Sequence, residues 1–210
     1  MAERSKVDFA LVGVGGQGII LASDLLAEVG LAAGYDVKKT DSLGMSQRGG
    51  SVVSFVRWAE KVYSPLPRRG GVDVALALEK LEAGRVAEWL RPGGLAVVND
   101  QSLLPLSVSA GSERYPTDEE VRALLETRTD RVYQVPGPRL AVEVGNPRVV
   151  NVLLLGLVSA FLPVGFEVWQ ATLGRLLPAR ILEVNLRALR RGRELESSPL
   201  LSAREEEVGG

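Results

Sequence analysis

The chain has 210 residues, 46% of them hydrophobic and 24% charged, with a formal net charge of -1. Those proportions suit a soluble globular domain with a sizeable core and give no bulk attraction to nucleic acid or an acidic membrane surface. With no cysteine and no histidine, a disulfide, a thiolate nucleophile, a cysteine-ligated iron–sulfur cluster, a Cys/His zinc site and a Ser-His-Asp triad are all excluded, so hard redox chemistry would have to come from a bound group or a partner chain.

The first element sets the plan. Phe9 to Val12 is a short apolar run that predicts a strand buried on both faces, and Gly13, Gly15 and Gly18 follow at G-x-G-x-x-G spacing around Gly16 and Gln17. Ile19 to Val29 then predicts a helix with a broad apolar face. Strand, glycine turn and helix together read as the Rossmann-like start of a nucleotide-binding unit, in which free amides at the helix start favour an anion. The same residues would serve equally as a tight turn that binds nothing. Gly34 fits a helix end, and Tyr35 to Thr40 predicts a second strand. In a dinucleotide enzyme the carboxylate after that strand binds ribose hydroxyls, and Asp41 stands close to that position.

The next segment departs from the dinucleotide pattern. Asp41 to Gly50, DSLGMSQRGG, is a polar, glycine-containing loop where a crossover helix belongs. Ser51 to Trp58 alternates as a strand, and Lys61 to Ser64 reads as its returning partner in an inserted β-hairpin. Within the loop, Arg48 beside Gly49 and Gly50, with Gln47 before it, offers a guanidinium and unobstructed amides to an anion or acyl group; a surface loop with a solvated arginine is the plain alternative. Pro65 to Gly71 is a connector, Val72 to Leu78 a strand, Glu79 to Leu90 a helix, Arg91 to Gly94 an RPGG turn and Leu95 to Asn99 another strand. That succession is a right-handed parallel crossover and sets the fold class as α/β, a mainly parallel sheet flanked by helices.

Asp100 to Gly111 is irregular, after which Thr117 and Glu120 form a capping box that predicts a helix over Asp118 to Glu126. Arg131 to Val135 is a strand, and Leu140 to Gly145 leads through Asn146, Pro147 and Arg148, read as a turn and helix start, into a helix from Val149 to Phe161. Asn151, Gly156, Ser159 and Pro163 interrupt the longest apolar run, which makes it a core helix and not a membrane span. The last helical region, Phe166 to Arg191, is interrupted at Pro178. The expected organisation is one domain over residues 1–193 and a charged, flexible tail over 194–210. The leader Met1 to Asp8 has no apolar h-region, so the expected location is the cytoplasm.

Taken together, these segments resemble the gamma-type subunit of 2-oxoacid:ferredoxin oxidoreductases, and within that family most nearly the beta subunit of the indolepyruvate type. The resemblance rests on GVGGQG at Gly13 to Gly18, GMSQRGGSV at Gly44 to Val52, VYSP at Val62 to Pro65, the RPGG segment, VNVLLLG at Val150 to Gly156 and EVNLRAL at Glu183 to Leu189. It implies a subunit, inactive alone, of an enzyme that oxidatively decarboxylates a 2-oxoacid, passes electrons to ferredoxin and releases an acyl-CoA. Thiamine diphosphate and 4Fe-4S clusters would sit in a large, cysteine-rich alpha subunit, with no metal, catalytic residue or cofactor held by this chain. Coenzyme A, as substrate, would meet Gly13, Gly15, Gly16, Gln17, Gly18, Gln47, Arg48, Gly49 and Gly50. Partners would be the alpha subunit and, through the complex, ferredoxin, with homodimerisation left open and neither nucleic acid nor membrane involved. One residue departs from the pattern: Leu43 stands where the arylpyruvate type shows a histidine. The alternative from the residues alone is an NAD(P)- or FAD-binding Rossmann-type oxidoreductase resting on Gly13, Gly15, Gly18 and Asp41.

Overall fold

The structure is a computed structural model that describes residues 6–43, 50–104 and 114–198. Six strands form one sheet in the order β2-β3-β1-β4-β5-β6, where β1 is Val7–Val14, β2 Asp36–Leu43, β3 Ser51–Ala59, β4 Val72–Ala77, β5 Leu90–Asn99 and β6 Val132–Val135. Strands β1, β4, β5 and β6 pair in parallel, and β3 runs antiparallel to both of its neighbours. Alternation along the parallel strands sends Phe9, Leu11, Val74, Leu76, Leu95 and Val97 to one face and Ala10, Val12, Ala75, Ala77, Ala96 and Val98 to the other.

The two faces are covered unequally. On the first lie α1 (Ile19–Ala32), α4 (Gly137–Val144), α5 (Val150–Ala160), α6 (Phe166–Leu176) and α7 (Ala179–Arg193), and on the second α2 (Lys80–Val86) and α3 (Asp118–Glu126). The connection leaving β1 therefore crosses one face and the connection leaving β4 the other. That divergence opens a crevice at the carboxyl ends of two adjacent parallel strands, the place where open α/β sheets bind ligands.

The expected α/β sheet with an inserted hairpin is present, but the hairpin is differently composed. Its strands are β2 and β3, paired from Asp36↔Ala59 to Leu43↔Val52. Residues 61–64 do not return along β3, because both edges of β3 are already occupied by β1 and β2. That segment is instead held irregularly, Val62 N–H donating to Asp36 Oδ2 at 2.8 Å and Arg57 Nη1 to the Ser64 carbonyl at 2.8 Å. The RPGG segment is not a turn between helix and strand but part of β5. It carries the register shift against β4, with Gly93 at φ +69° and its N–H donating to the Arg128 carbonyl at 2.8 Å. The helix expected over Glu79 to Leu90 is shorter, with Glu79 as its N-cap and a 3-10 turn, Ala87–Trp89, closing it. The capping box on Thr117 and Glu120 forms as expected. The segment expected to begin the tail is a 3-10 turn, Glu194–Ser197, with Leu195 fully buried.

Helices α5 and α7 approach through Gly156 and Gly192, where a Cβ would overlap the carbonyl oxygens of Leu189 and Leu153. Backbone cannot yield there as a side chain could, so Gly192→Ala should destabilise the fold by about 3 kcal/mol. Gly174, on α6, has nothing within 4 Å of such a Cβ, and Gly174→Ala should stabilise by roughly 0.5–1 kcal/mol. Chemical denaturation of both variants checks the pair; equal effects would mean the glycine contact between α5 and α7 is not close.

Candidate functional site

The crevice at the carboxyl edge is built around the turn from β1 into α1. Gly16 and Gly18 adopt φ +102° and +81°, left-handed conformations that a side chain disfavours. At Gly13 a Cβ would meet Gln17 Oε1 and Ile19 Cδ1, both at 2.7 Å, and at Gly18 it would meet Asn151 Nδ2 at 2.5 Å. At Gly16 no described residue comes within 4 Å of a Cβ. Gly13 and Gly18 are thus required by close packing, whereas Gly16 has no such neighbour among the described residues.

Gln17 is turned inward. Its Oε1 accepts from Val14 N–H at 2.8 Å, and its Nε2 donates to the Leu78 carbonyl at 2.8 Å and to Gln101 Oε1 at 3.2 Å. Asn99, at the end of β5, donates from Nδ2 to the same Leu78 carbonyl at 3.0 Å and to Gln101 Oε1 at 3.1 Å. The carbonyl beyond β4 thus joins the β1 turn and the end of β5 in one network. From the far side, Asn151 Nδ2 donates to the Gly18 carbonyl at 3.1 Å and ties the start of α5 to the start of α1. The two glycine segments also meet: Gly15 N–H donates to the Gly50 carbonyl at 3.0 Å, and β3 begins at Ser51. Gln47, Arg48 and Gly49 lie outside the described residues.

These elements enclose a cavity of about 360 Å³ lined by the Gly16–Gly18 turn, Leu78, Asn99, Gln101, Arg148 and Asn151, among others. Among the described residues α1 receives no side-chain hydrogen bond at its amino terminus, whereas in the first turn of α5 the Val152 N–H donates to Asn151 Oδ1 at 2.9 Å; neither helix has an acidic residue in its first turn. The start of α1 therefore presents uncompensated N–H groups and a positive dipole end toward the cavity. Arg148 is exposed on the 3-10 turn Pro147–Val149 and has no carboxylate partner among the described residues. Its turn is fixed by Asn146, whose Oδ1 accepts from Arg148 N–H at 2.9 Å. Chemically, this is a polar cleft suited to an anion.

The sequence reading took Asn146, Pro147 and Arg148 as a turn and helix start, which they are, and missed that the turn carries a cation into the cleft. Asn99, Gln101 and Asn151 were also missed as lining residues. A polar residue opening the apolar α5 was the one available signal. Asp41, in contrast, is not brought to the turn. β3 lies between β1 and β2, and the Asp41 carboxylate accepts from Ser54 Oγ at 2.6 Å and pairs with Lys39 at 3.1 Å.

Beside the cleft, Glu79 holds the chain on both sides of residues 105–113. Its carboxylate caps α2 by accepting from Glu82 N–H at 3.0 Å, accepts from Leu103 N–H at 3.0 Å and accepts from the Tyr115 hydroxyl. Burial, reinforced by the bond to Glu79, pushes the Tyr115 phenol up from 10.0 to about 12.

Residues 8–195 match the family described as pyruvate ferredoxin/flavodoxin oxidoreductase, and the chain belongs to it. The indolepyruvate oxidoreductase subunit IorB of Archaeoglobus fulgidus is 35% identical over 189 residues, 89% of this chain and 94% of that protein. The common gamma subunit of the pyruvate/ketoisovalerate oxidoreductases of Thermococcus litoralis is 26% identical over 162 residues, 73% of this chain and 76% of that one. The fold is that of the keto/oxoacid ferredoxin oxidoreductase gamma subunit of Geobacter sulfurreducens, with a TM-score of 0.69 at 23% identity over 91% of this chain and 96% of that one. It also matches part of the 2-oxoglutarate:ferredoxin oxidoreductase of Magnetococcus marinus, with a TM-score of 0.70 at 22% identity over 93% of this chain and 32% of that one; that structure was determined with 2-oxoglutarate, coenzyme A and succinyl-CoA bound. Neither these relatives nor the sheet order supports an NAD(P)- or FAD-binding enzyme.

Replacing Gln17 by Leu leaves the Leu78 carbonyl and Val14 N–H without this partner and should destabilise the isolated chain by about 2 kcal/mol. Urea denaturation reads this directly, and an unchanged midpoint would mean Gln17 serves a ligand and not the fold. Because the Tyr115 pKa is raised on folding, its contribution is complete below pH 10 and is lost as pH rises through about 12. Stability measured from pH 9 to 12 should fall, and Tyr115→Phe should flatten that fall.

Proposed function

We infer that this small subunit of a 2-oxoacid:ferredoxin oxidoreductase supplies the coenzyme A side of an active site it shares with a larger subunit. The observation that carries this reading is the convergence of the uncapped amino terminus of α1 and the exposed guanidinium of Arg148 on one cavity. Phosphate groups suit such a site, because backbone amides and a guanidinium can hold them together without desolvating a competing carboxylate. In the proposal, the Gly16–Gly18 amides and Arg148 hold phosphate oxygens of coenzyme A, and Gln101 and Asn99 shape the wall along which the rest of the molecule runs. Arg48, Gln47, Gly49 and Gly50 belong to the same proposal as a second approach to the anion, supported by the contact between Gly15 and Gly50.

The oxidative chemistry is assigned to the partner. A chain without cysteine cannot ligate a 4Fe-4S cluster in the usual way, and among the described residues no group of three His, Cys, Asp or Glu is placed to hold a metal ion. The residues present therefore do not fit cysteine-ligated iron–sulfur clusters, and these clusters, together with thiamine diphosphate, are proposed to belong to a large, cysteine-rich subunit. When bound there, they would supply decarboxylation and electron transfer, with ferredoxin as the acceptor. This chain's part is to bind coenzyme A, orient its thiol toward the partner and cover one side of the site. The identity to IorB favours an indolepyruvate-type 2-oxoacid as substrate, and the cytoplasm is proposed as the location. No helix among the described residues is long and apolar enough to cross a membrane.

The test is reconstitution with a large alpha subunit of the same enzyme type, followed by 2-oxoacid- and CoA-dependent reduction of a viologen dye. Arg148→Gln should raise the KM for coenzyme A about tenfold while kcat stays within about twofold. An unchanged KM in Arg148→Gln would overturn the assignment of the cleft to coenzyme A.

A further inference from the structure

A second cavity, of about 250 Å³, opens at the opposite edge of the sheet, where β1, β4 and β6 begin. Its lining includes Lys6, Arg91 and Arg131, with Asp73 as the carboxylate among the lining residues, over an apolar wall that contains Phe161 and Pro163. The cations are not equally engaged. Lys6 pairs with the buried Asp8 at 2.7 Å, although Asp8 is already held by Arg57 Nε at 2.8 Å. Arg91 Nε pairs with Asp73 Oδ1 at 2.6 Å, while the other Asp73 oxygen accepts from Asp8 N–H at 2.7 Å. Three cations thus share two carboxylates, and a fourth, Arg131, has no carboxylate partner among the described residues.

Arg131 is nevertheless positioned. Its guanidinium lies over the Phe161 ring, 5.5 Å from the centroid, and Phe161 is in turn held against Tyr133 with ring centroids 5.2 Å apart. A guanidinium stacked by its face keeps its N–H edge free, and that edge matches a carboxylate in a bidentate arrangement. The neighbouring apolar wall gives the ligand's body a surface that an inorganic ion would not use.

We propose that this cavity binds a small organic acid, its carboxylate on Arg131 and Lys6 and its apolar body against Phe161 and Pro163. The site is independent of the glycine-turn cleft, which lies at the other end of the strands and has its own cation.

Benzoate and inorganic phosphate, titrated separately into the isotope-labelled full chain and followed by backbone amide shifts, test the proposal. Benzoate should give saturable shifts clustered at Val74, Val132 and Leu162, and Arg131→Gln should weaken its binding about tenfold. Lys6→Gln should weaken it less, and Arg148→Gln should leave it unchanged. Phosphate should bind at least about tenfold more weakly than benzoate, having no apolar body. Three results would each overturn the proposal: no saturable shifts, shifts centred on Gly16 to Gly18, or phosphate binding as tight as benzoate.

Discussion

The constraint on which the molecule depends is the reversal between β1 and α1. The chain must leave a buried strand, turn and start a fourteen-residue helix against the same sheet, with Gly16 and Gly18 supplying the left-handed conformations. Gly13 lets Ile19 and Leu78 close on the strand end, and Gly18 leaves room for Asn151. Gln17 then fastens the turn to the end of β4 through the Leu78 carbonyl. The turn is consequently rigid without any group capping the helix from inside, and the amide ends of α1 remain directed at the crevice. Fold and site share one cause there, since the backbone geometry that closes the packing is the geometry that exposes the donors.

In the proposed division of labour, a chain with neither cysteine nor histidine that belongs to an oxidoreductase family contributes geometry and electrostatics in place of reactive groups. The described cleft is consistent with that division. Its polar atoms are amides, carbonyls, carboxamides and one guanidinium, which are good at holding and orienting an anion and poor at transferring protons near neutral pH. Asn99, Gln17 and Gln101 spend their hydrogen bonds mainly on each other and on the Leu78 carbonyl, which fixes the wall before any ligand arrives. Preorganisation of this kind reduces the ordering that binding would otherwise require.

Much of this was legible in the sequence where local chemistry dictates local structure. The buried run before Gly13, the glycine spacing, the capping box on Thr117 and the break at Pro178 each act over a few residues, and each element appears as expected. Long-range pairing was less legible. Lys61 to Ser64 had strand-like character but no free strand edge to join, because β3 was already paired on both sides. Arg91 to Gly94 carried turn chemistry, yet pairing with neighbouring chain drew the segment into β5 as an irregularity. The lining residues Asn99 and Gln101 follow one another at the end of β5, Arg148 sits on the turn before α5, and they converge with the glycine turn only once the sheet is assembled. Nothing in their individual neighbourhoods distinguishes them from ordinary loop residues.

The inserted strand explains why the chain begins like a dinucleotide-binding fold and does not continue as one. In the doubly wound pattern, the second strand lies beside the first, and its terminal carboxylate reaches the ribose of a nucleotide held at the glycine turn. Here β3 occupies that neighbouring position and β2 is displaced to the sheet edge, where Asp41 engages Ser54 and Lys39. The displacement removes the ribose contact. The same antiparallel strand also enters the sheet at the carboxyl end of β1, pairing Ser51 with Val14 and bringing the Gly50 carbonyl onto Gly15 N–H. One topological change thus withdraws a nucleotide-specific carboxylate from the glycine turn and delivers the end of a second glycine segment to it. The free amides of the turn survive the change, because they belong to the backbone at the start of α1, and in the proposed site the selection of an anion passes to the residues around them.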